Sequence, residues 1–576
     1  MKNITVKNYR DIDWHKCHAE LLEKQQNLIG AYRAKDFEKV KNLQRQIVTS
    51  FAARALAVRR VTSNKGGNTP GIDGIKWNSP SCRLEAIQQL NYIAQNPNSY
   101  RAQPVRRVEI PKPGKVEKRP LGIPTLIDRA VQAIYLSSID PLTEETSDLN
   151  SYGFRSYRGT REAIVKLNTL LGRDHSPAWI LDADIRKCFD TINHQWLLNN
   201  VPIGDKIVLE SWLKSGVETL TGFQATTEGV PQGGVISPAL CNITLNGMEH
   251  FVQNATNSMV TKNQYTKVHL VRYADDFIAT AVNSEILKAV EQSTSEFLHP
   301  RGLDLHPLKT RRLDLMNHKF EFLGFEFSKH VLNPRLNLPS QKKTSTTRLI
   351  IRPSTGNRKA LVTKVQTIVK PTKPLGSIIR NLNPVLRGWA NYFRITRQSQ
   401  KPFKSLGNYI WHKMLKWAQA RHSNRNIAWI QSKYLAKSKW RTNHWCKKAS
   451  KANIYLFDIS TVNHQFVPPI KRSLNPYIRL DRLELEARAI QIAQKGEKGL
   501  RKILIERDQG VCLVCHTSVI DSSENVELHH LIPHSAGGNW KIDNLVLLHS
   551  TCHKKKSYIR RRLKSKSEKS NMPRAR

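Results

Sequence analysis

Positive charge without compensating acid characterises one long stretch of the chain. Residues 327–457 include 28 Lys or Arg and no Asp or Glu. The same stretch has the spacing of an amphipathic helix, with four apolar residues on one face: Leu406, Ile410, Met414 and Trp417. A solvated surface normally mixes both signs of charge, so this stretch requires a polyanion to neutralise it. We therefore predict a folded basic helical module and not a charged tail.

The cationic excess extends to the whole chain. Its 576 residues include 92 Lys and Arg against 46 Asp and Glu, a formal net charge of +46. Such a charge repels itself unless a polyanion is bound, so nucleic acid is the leading candidate partner. Hydrophobic residues make up 39% of the chain, which is enough to build packed cores and excludes a wholly disordered protein.

Three sequence features concern the place where the protein acts. No apolar run approaches the ~18 residues that cross a bilayer, so no membrane partner is expected. The first twenty residues show neither a secretory signal nor an acid-poor transit peptide. Eight cysteines are too few for a disulfide scaffold in a chain of this length. We expect a reducing compartment, either the cytoplasm or nucleoid of a bacterium or the interior of a plastid or mitochondrion.

Two short segments of the central region present carboxylates. A predicted strand ends in Asp182 and Asp184, whose spacing places both side chains on one face. Two β-rich runs flank Asp275 and Asp276 and predict a hairpin with acids at its tip. Adjacent acids repel each other, and a pair of Mg²⁺ ions about 3.5 to 4 Å apart, as in nucleotidyl transfer, would explain them. Alone, such a pair is more often an ordinary solvated turn, and the flanking motifs decide.

A second metal pattern lies near the C-terminus. Cys512-x-x-Cys515 and His549-x-x-Cys552 flank 33 residues. Two ligand pairs at this spacing are typical of a closed tetrahedral Zn²⁺ site with thiolate and imidazole ligands. We predict a structural zinc ion held by these four side chains.

Seven short segments follow one another along the chain in a recognisable order. They are TPGIDG (69–74), KRPLGIPTLIDRAVQ (118–132), SYGFRSYRGT (151–160), DADIRKCFDTI (182–192), GVPQGGVISPAL (229–240), RYADDF (272–277) and FEFLGF (320–325). In these segments the chain resembles the reverse transcriptases that group II introns encode. A further segment, LNPVLRGWANYFR (382–394), is similar to the signature of the maturase domain of that family.

The resemblance implies roles for residues of the polymerase centre. Asp184 and Asp275 would be the main ligands of two Mg²⁺ ions, with Asp276 beside them. Four other residues would contact the incoming deoxynucleoside triphosphate or lie near it: Arg119 and Arg129 at the triphosphate, Phe189 under the sugar, and Gln232 near nucleotide and template. Bulk at Phe189 would clash with a 2′ hydroxyl and favour deoxynucleotides.

The resemblance also implies an RNA-binding surface in the basic stretch. An intron RNA is a folded polyanion whose phosphates attract cations. Arg387, Arg394 and Arg397 are the RNA contacts that we predict, although for each of them a solvated cation or a cation at the edge of the core is at least as common an interpretation.

The segment ELHHLIPHSAGGNWKIDNLVLLHSTCHKKK (527–556) resembles the HNH endonuclease motif, a β-hairpin and a helix around one divalent ion. The resemblance implies that His530 is the general base, that His529 and His553 bind the ion, which is Mg²⁺ or a similar metal, and that Asn544 has a structural role. Adjacent strand residues point to opposite faces, so His529 and His530 can have different roles. A lone histidine is more often structural, but six of the 20 histidines lie between residues 512 and 553.

The predicted fold class is α+β and multidomain. It combines a right-hand polymerase with fingers and an antiparallel palm sheet, an α-helical thumb or maturase domain, and a small ββα-metal HNH domain. The expected units are an N-terminal helical extension (1–61), fingers and palm (62–326), the basic thumb or maturase domain (327–457), a connecting DNA-binding helical region (458–505), the endonuclease with its zinc site (506–556) and a basic tail (557–576).

These features predict a multifunctional group II intron-encoded protein. It would be an RNA-directed DNA polymerase, a maturase that assists intron splicing and an HNH endonuclease that nicks target DNA for target-primed reverse transcription. Its partners would be group II intron RNA, target DNA, deoxynucleoside triphosphates and a second copy of the chain in a homodimer. One alternative is an RNA-binding splicing maturase with vestigial enzymatic centres, and another is a reverse transcriptase that serves host defence or diversification.

Overall fold

The computed structural model describes most of the chain. The described residues are 6–111, 118–259, 265–331, 347–438, 441–448, 453–470, 473–496, 500–520, 524–532 and 542–553. The predicted basic tail, 557–576, lies outside them, as do parts of the predicted maturase and endonuclease units. Among the described residues, no helix has both the length and the apolar composition needed to cross a membrane.

Helices form the N-terminal part of the fold. They are α1 (Trp14–Arg33), α2 (Phe37–Val48), α3 (Phe51–Ser63) and α4 (Pro80–Gln95). The first three begin after the capping residues Asp13, Asp36 and Ser50, whose side chains accept hydrogen bonds from first-turn amides. The apolar spacing of residues 13–60 alone predicts one or two amphipathic helices, but the three caps divide this stretch, so three helices form there and that prediction is wrong in number.

The central part mixes helices with strands. Its elements are β1 (Val105–Pro111), β2 (Lys118–Ile123), α5 (Leu126–Thr146), α6 (Thr160–Leu171), β3 (Trp179–Asp184), α7 (Cys188–Thr191), α8 (His194–Asn200), α9 (Lys206–Leu213), β4 (Val217–Thr219), β5 (Gly222–Gln224), α10 (Ser237–Leu245), α11 (Met248–Asn257), β6 (His269–Tyr273), β7 (Asp276–Ala281), α12 (Ser284–Leu298) and β8 (Arg311–Asp314). One sheet has the order β6-β7-β3-β8 with antiparallel pairing throughout. A second has the order β2-β1-β4-β5, in which β1 and β4 are parallel.

The C-terminal half adds a helical region and a small metal unit. Its elements are β9 (Phe320–Phe322), β10 (Phe325–Val331), β11 (Thr347–Pro353), α13 (Thr355–Ile368), α14 (Leu375–Phe393), α15 (Gln400–Arg421), α16 (Ile427–Tyr434), β12 (Leu435–Ala436), β13 (His444–Lys447), β14 (Ile454–Tyr455), α17 (Arg479–Gly496), α18 (Leu500–Arg507), β15 (Val526–His530) and β16 (Leu545–His549). We call residues 327–457 the basic module and residues 506–553 the metal unit. The combination of helices and sheets expected of the predicted α+β fold class is confirmed.

Two apolar clusters hold these parts together. The first is continuous from the N-terminal helices through the central helices to the metal unit, and includes Val58 of α3 and Leu547 of β16. The second lies between the strands around Phe327 and the helices of the basic module, and includes Ile379 of α14. The predicted apolar face of α15 is confirmed, because all four of its residues are buried: Leu406, Ile410, Met414 and Trp417.

Truncation on this face should destabilise the basic module. Met414 is fully buried, so Met414→Ala is expected to lower the free energy of unfolding by roughly 2–5 kcal/mol. The exposed Lys416 on the same helix provides the control, because Lys416→Ala should stay within about 0.5 kcal/mol. Urea denaturation followed by tryptophan fluorescence measures both, and equal midpoints for the two variants would contradict this packing.

Candidate functional site

Antiparallel pairing brings together the carboxylates that the sequence singled out. Strand β3 pairs with β7 so that Asp184 lies directly opposite Asp276. Asp275 occupies the turn between β6 and β7, where its carbonyl accepts a hydrogen bond of 3.3 Å from the amide of Ile185. The end of β3 and the hairpin tip are thus adjacent. We call Asp184, Asp275 and Asp276 the carboxylate site.

A buried arginine holds the hairpin turn in place. Ala274 has a positive φ of 58°, which an L residue rarely adopts. The guanidinium of Arg272, which is fully buried, donates to the carbonyl of Ala274 at 3.3 Å and to the side-chain oxygens of Asn242 and Asn246 at 3.2 Å. A Cβ on Gly153 would lie 2.3 Å from the amide nitrogen of Ala274, so the SYGFR segment needs glycine where it packs against this turn.

The pKa values of Asp275 and Asp276 are both raised, so both carboxyl groups are shifted toward their protonated forms. Burial first, and repulsion from neighbouring carboxylates second, raise the pKa of Asp276 to about 7. Burial also raises the pKa of Asp275, while the nearby Arg119 and Lys309 act in the opposite direction. This arrangement is typical of sites that bind cations, because a bound cation favours the charged carboxylates.

Two cations contact the acids at the end of β3. The Lys309 ammonium donates to the Asp184 carboxylate, and Arg311 donates to Asp182 at 2.6 Å. Sequence reasoning did not identify Lys309, because 125 positions separate it from Asp184 and no short motif connects the two. Among the described residues, the carboxylate site is not a group whose ligand atoms all lie within 4.8 Å of one another.

A cleft of about 270 Å³ lies near the polymerase motifs. Its lining includes Phe189, Gln232, Arg107 and Lys187. The amide of Gly122 on β2 donates to the carbonyl of Gln232 at 2.7 Å, so the PQGG turn and β2 are adjoining parts of the lining. Phe189 is half-buried, and its ring meets that of Phe154 edge to face at 6.3 Å. Arg119 is exposed on β2.

Arg129 has a different placement from the one predicted. Its guanidinium is buried and donates to three backbone carbonyls, those of Pro124 at 3.0 Å, Gly66 at 2.8 Å and Thr69 at 2.5 Å. Because all three bonds go to the protein's own backbone, this placement does not support the predicted contact of Arg129 with an incoming triphosphate. It positions the loop that precedes the TPGIDG segment.

The three arginines chosen as RNA contacts divide into two groups. Arg387 and Arg397 are exposed, and Arg387 stacks over the ring of Phe457 at 5.4 Å. Arg394 is 7% exposed and donates to the carbonyl of Asn463 at 3.2 Å. Its guanidinium therefore joins two segments of the protein, and this burial does not fit the prediction of an RNA contact.

The predicted zinc ligands come together in the metal unit. The ligand atoms of Cys512, Cys515, His549 and Cys552 all lie within 4.8 Å of one another, and all four residues are buried. Three sulfurs and one imidazole nitrogen form a donor set that suits Zn²⁺. We call these residues the Cys3His cluster.

The histidines of the HNH segment lie on the β15–β16 hairpin and just after it. His529 is buried and His530 is half-buried on the opposite face of β15, as predicted. The rings of His529 and His553 are 4.6 Å apart, and His553 Nδ1 is 2.6 Å from a carboxylate oxygen of Glu527. The two histidines expected to share a metal ion are thus neighbours.

Asn544 connects the two ends of the segment between these strands. Its side-chain oxygen accepts from the amide of Ile532 at 2.6 Å, and its side-chain nitrogen donates to the carbonyl of Ile532 at 3.0 Å. The amide of Leu531 donates to the Asn544 carbonyl at 2.8 Å. This pairing fits the structural role predicted for Asn544. Residues 533–541, which include part of the HNH segment, lie outside the described residues.

Four family descriptions match consecutive parts of the chain. These are the N-terminal domain of reverse transcriptase at residues 9–90, reverse transcriptase (RNA-dependent DNA polymerase) at 110–327, the group II intron maturase-specific domain at 358–435 and HNH endonuclease at 512–558. Their order is the order of the motifs described above.

Several known proteins are similar to the chain. Protein YkfC of Escherichia coli is 34% identical over 311 residues, which are 48% of this chain and 81% of that protein. The group II intron-encoded protein LtrA of Lactococcus lactis is 33% identical over 202 residues, 34% of this chain and 33% of LtrA. The chain belongs to the group II intron-encoded reverse transcriptase and maturase family. In this intron-encoded protein an HNH endonuclease domain follows the maturase domain.

Two further similarities have lower sequence identity. A putative COX1/OXI3 intron 1 protein of Saccharomyces cerevisiae is 25% identical over 53% of this chain and 42% of its own length. A telomerase structure from Candida albicans aligns with 58% of this chain and 65% of its own at 15% identity, and its TM-score of 0.31 is too low to carry an argument. The matched domains imply intron RNA, DNA and nucleotides as partners and divalent metals as cofactors.

The raised pKa of Asp276 predicts a pH-dependent stability in the absence of divalent ions. An unfolded Asp titrates near pH ~4, so between about pH 4 and 7 the folded protein binds more protons than the unfolded chain. This contribution to stability is present below pH ~4 and is lost as the pH rises through about 7. We expect Asp276→Asn to remove that loss, so that its melting temperature should exceed that of the wild type by more at pH 8 than at pH 5.

The control for this measurement is Asp304→Asn, which removes an exposed carboxylate. Thermal melts of the three proteins between pH 5 and pH 8, in buffer without added divalent ions, give the comparison. The same pH slope for wild type and Asp276→Asn would show that Asp276 titrates as an ordinary carboxylate.

Proposed function

We propose that this intron-encoded protein binds its intron RNA through the basic module and nicks a DNA target with the metal unit. The 3′ hydroxyl that the nick exposes would then prime the copying of the intron RNA into DNA. The observation that carries the proposal is that Asp184, Asp275 and Asp276 converge where the end of β3 meets the start of β7. The same chain contains the Cys3His cluster and the neighbouring histidines of the HNH segment, His529 and His553. These intact centres favour an active enzyme over a splicing maturase with vestigial sites. The maturase and HNH matches favour it over a reverse transcriptase for defence or diversification.

The proposed domain arrangement follows the boundaries predicted from the sequence. We propose that the β6-β7-β3-β8 sheet is the palm, that the β2-β1-β4-β5 sheet belongs to the fingers, and that the helices of the basic module form the thumb. The all-antiparallel sheet with acids at one end supports this assignment. Residues 458–505 would connect the thumb to the metal unit and contact DNA.

In the polymerase centre, Asp184, Asp275 and Asp276 would hold two Mg²⁺ ions. When bound, these ions activate the attacking 3′ hydroxyl and stabilise the leaving pyrophosphate. Lys309 forms an ion pair with Asp184, and its ammonium would have to move as the acids take up their ligands. Its proximity supports a role close to the reacting phosphates.

The neighbouring cleft would receive the nucleotide. Phe189 and Gln232 line it, and the ring of Phe189 supplies bulk that would exclude a 2′ hydroxyl. Arg119 is exposed on β2 and acts electrostatically on Asp275, so its guanidinium would contact the triphosphate. Arg129 is not among the proposed nucleotide contacts because its nitrogens donate to backbone carbonyls.

In the metal unit, His529 and His553 would hold one divalent ion that polarises the scissile phosphate. His530 on the other face of β15 would accept the proton of the attacking water. A carboxylate oxygen of Glu527 lies 2.6 Å from Nδ1 of His553 and would orient that ring. The Cys3His cluster would hold a structural Zn²⁺ that stabilises the unit.

For RNA binding, Arg387 and Arg397 remain the proposed contacts because both are exposed. Arg394 would act by joining segments of the protein. The protein would work where its intron RNA is made, in a bacterium or inside an organelle, as its relatives from bacteria and from organelle introns suggest. A homodimer on the RNA is the proposed assembly, and light scattering of the complex tests it.

Neutralising the carboxylate site should separate copying from splicing. We expect Asp275→Asn with Asp276→Asn to reduce primer extension on an RNA template roughly 100- to 1,000-fold, because charge stabilisation by the metal ions is lost. Intron splicing assisted by the same protein should be unchanged, and the Asp304→Asn variant should retain both activities. Wild-type protein that is as inert as the variant in primer extension, while splicing is normal, would instead support the vestigial alternative.

Removing the proposed general base should affect only nicking. We expect His530→Ala to slow cleavage of target DNA by roughly 100- to 10,000-fold while primer extension from a pre-formed 3′ end stays unchanged. His250→Ala removes an exposed histidine on α11 and serves as the control. A gel assay with end-labelled DNA measures the nick, and undiminished nicking by His530→Ala would mean that another group activates the water.

A further inference from the structure

Arg59 of helix α3 reaches the Cys3His cluster from the other end of the sequence. Its Nη2 donates to the sulfur of Cys552 at 3.4 Å and lies 4.0 Å from the sulfur of Cys515. Arg59 is 2% exposed, so these contacts are shielded from water. More than 450 positions separate the arginine from either cysteine. A residue of the N-terminal helices thus contacts two of the four proposed zinc ligands.

The same guanidinium makes a two-point ion pair with Glu524. Arg59 Nε and Nη2 donate to the two carboxylate oxygens at 2.6 and 3.2 Å, and Thr551, next to Cys552, donates to the same carboxylate at 2.6 Å. On its other side the guanidinium lies over the ring of Trp14 in α1 at 4.9 Å. Arg59 therefore connects α1 and α3 to both chain segments that provide zinc ligands.

Apolar packing supports the same junction. The buried side chains of α3 and of the metal unit belong to one continuous cluster, and the rings of His15 and His516 meet edge to face at 5.0 Å. Helix α3 also packs against α5 of the polymerase region. The metal unit is thus connected to the polymerase region through α3 as well as through the covalent chain.

Electrostatics explain why a cation is buried at this place. Burying a guanidinium is costly unless anionic groups surround it. Zn²⁺ with three thiolates and a neutral imidazole carries a net charge of about −1, and N–H groups that donate to the sulfurs stabilise that charge. Nη1 of Arg59 is buried and has no hydrogen-bond acceptor among the described residues. Glu524 and the sulfurs are therefore the groups that compensate the buried charge.

We propose that Arg59 is a positioning residue of the C-terminal metal site. It holds the sulfur ligands from outside the cluster, so that metal occupancy and docking of the metal unit onto α1 and α3 stabilise each other. This inference rests on the proposed function in one respect, namely that the Cys3His cluster holds zinc. It implies that loss of the metal loosens helix α3 as well as residues 506–553.

The first experiment compares three full-length variants, Arg59→Gln, Arg59→Lys and Arg60→Gln. Arg60 is the adjacent exposed arginine of the same helix and provides the control. Zinc content is measured by mass spectrometry, and zinc affinity is measured by competition with a chromogenic chelator. We expect Arg59→Gln to bind zinc 10- to 100-fold more weakly, Arg59→Lys to recover part of the affinity because it keeps the charge, and Arg60→Gln to remain within about twofold of wild type.

Cobalt gives a signature that a purely structural role of Arg59 would not produce. With Co²⁺ in the cluster, loss of an N–H donor to sulfur should move the sulfur-to-cobalt charge-transfer band to longer wavelength in Arg59→Gln, while Arg60→Gln keeps the wild-type band. Equal chelator competition and identical cobalt spectra for Arg59→Gln and wild type would overturn the proposal. Wild-type protein that takes up no zinc would contradict the zinc assignment itself, which is a separate outcome.

A second measurement uses only the wild-type protein and remains decisive if Arg59→Gln does not fold. Amide hydrogen exchange is compared before and after removal of zinc by a chelator. We expect exchange to become faster in α3, residues 51–63, as well as in the metal unit, and to return to its starting value when zinc is added back. Faster exchange confined to the metal unit would overturn the proposed coupling.

Discussion

Repulsion between carboxylates at the end of β3 and β7 is the constraint around which the central part of the structure is organised. Asp184 and Asp276 lie opposite each other, and Asp275 directly precedes Asp276 in the turn. Two separate contacts hold this arrangement. Arg272 donates a hydrogen bond to the backbone of the turn at Ala274, and Lys309 contacts the carboxylate of Asp184. The free energy that this repulsion costs the metal-free protein becomes available for binding cations.

Local patterns in the sequence predicted the parts of the site that depend on local structure. The spacing of Asp182 and Asp184, the hairpin around Asp275 and the apolar face of α15 all follow from the periodicities of strands and helices. The Cys and His pairs at the C-terminus were equally readable, because a tetrahedral metal site needs ligands in closely spaced pairs. The caps that divide the N-terminal helices were present in the sequence too, but a continuous apolar period concealed them.

The partners of long cationic side chains could not be predicted in this way. Arg129 and Arg394 lie in motifs that suggest contact with nucleotide or RNA, yet each donates to backbone carbonyls of the protein. Lys309 and Arg59 reach acceptors that are far away along the chain. A guanidinium or ammonium finds its acceptor in three dimensions, and one-dimensional spacing carries no information about acceptors more than a hundred positions away.

The apolar cluster shared by α1, α3 and the metal unit has a consequence for biosynthesis. A ribosome makes residues 14–63 more than 400 positions before residues 500–552, so the early helices leave the exit tunnel long before these packing partners exist. Until residues 500–552 have been made, part of their apolar surface stays open to water and to chaperones. Nascent chains released early would keep that surface uncovered, and cellular quality control would recognise them by it.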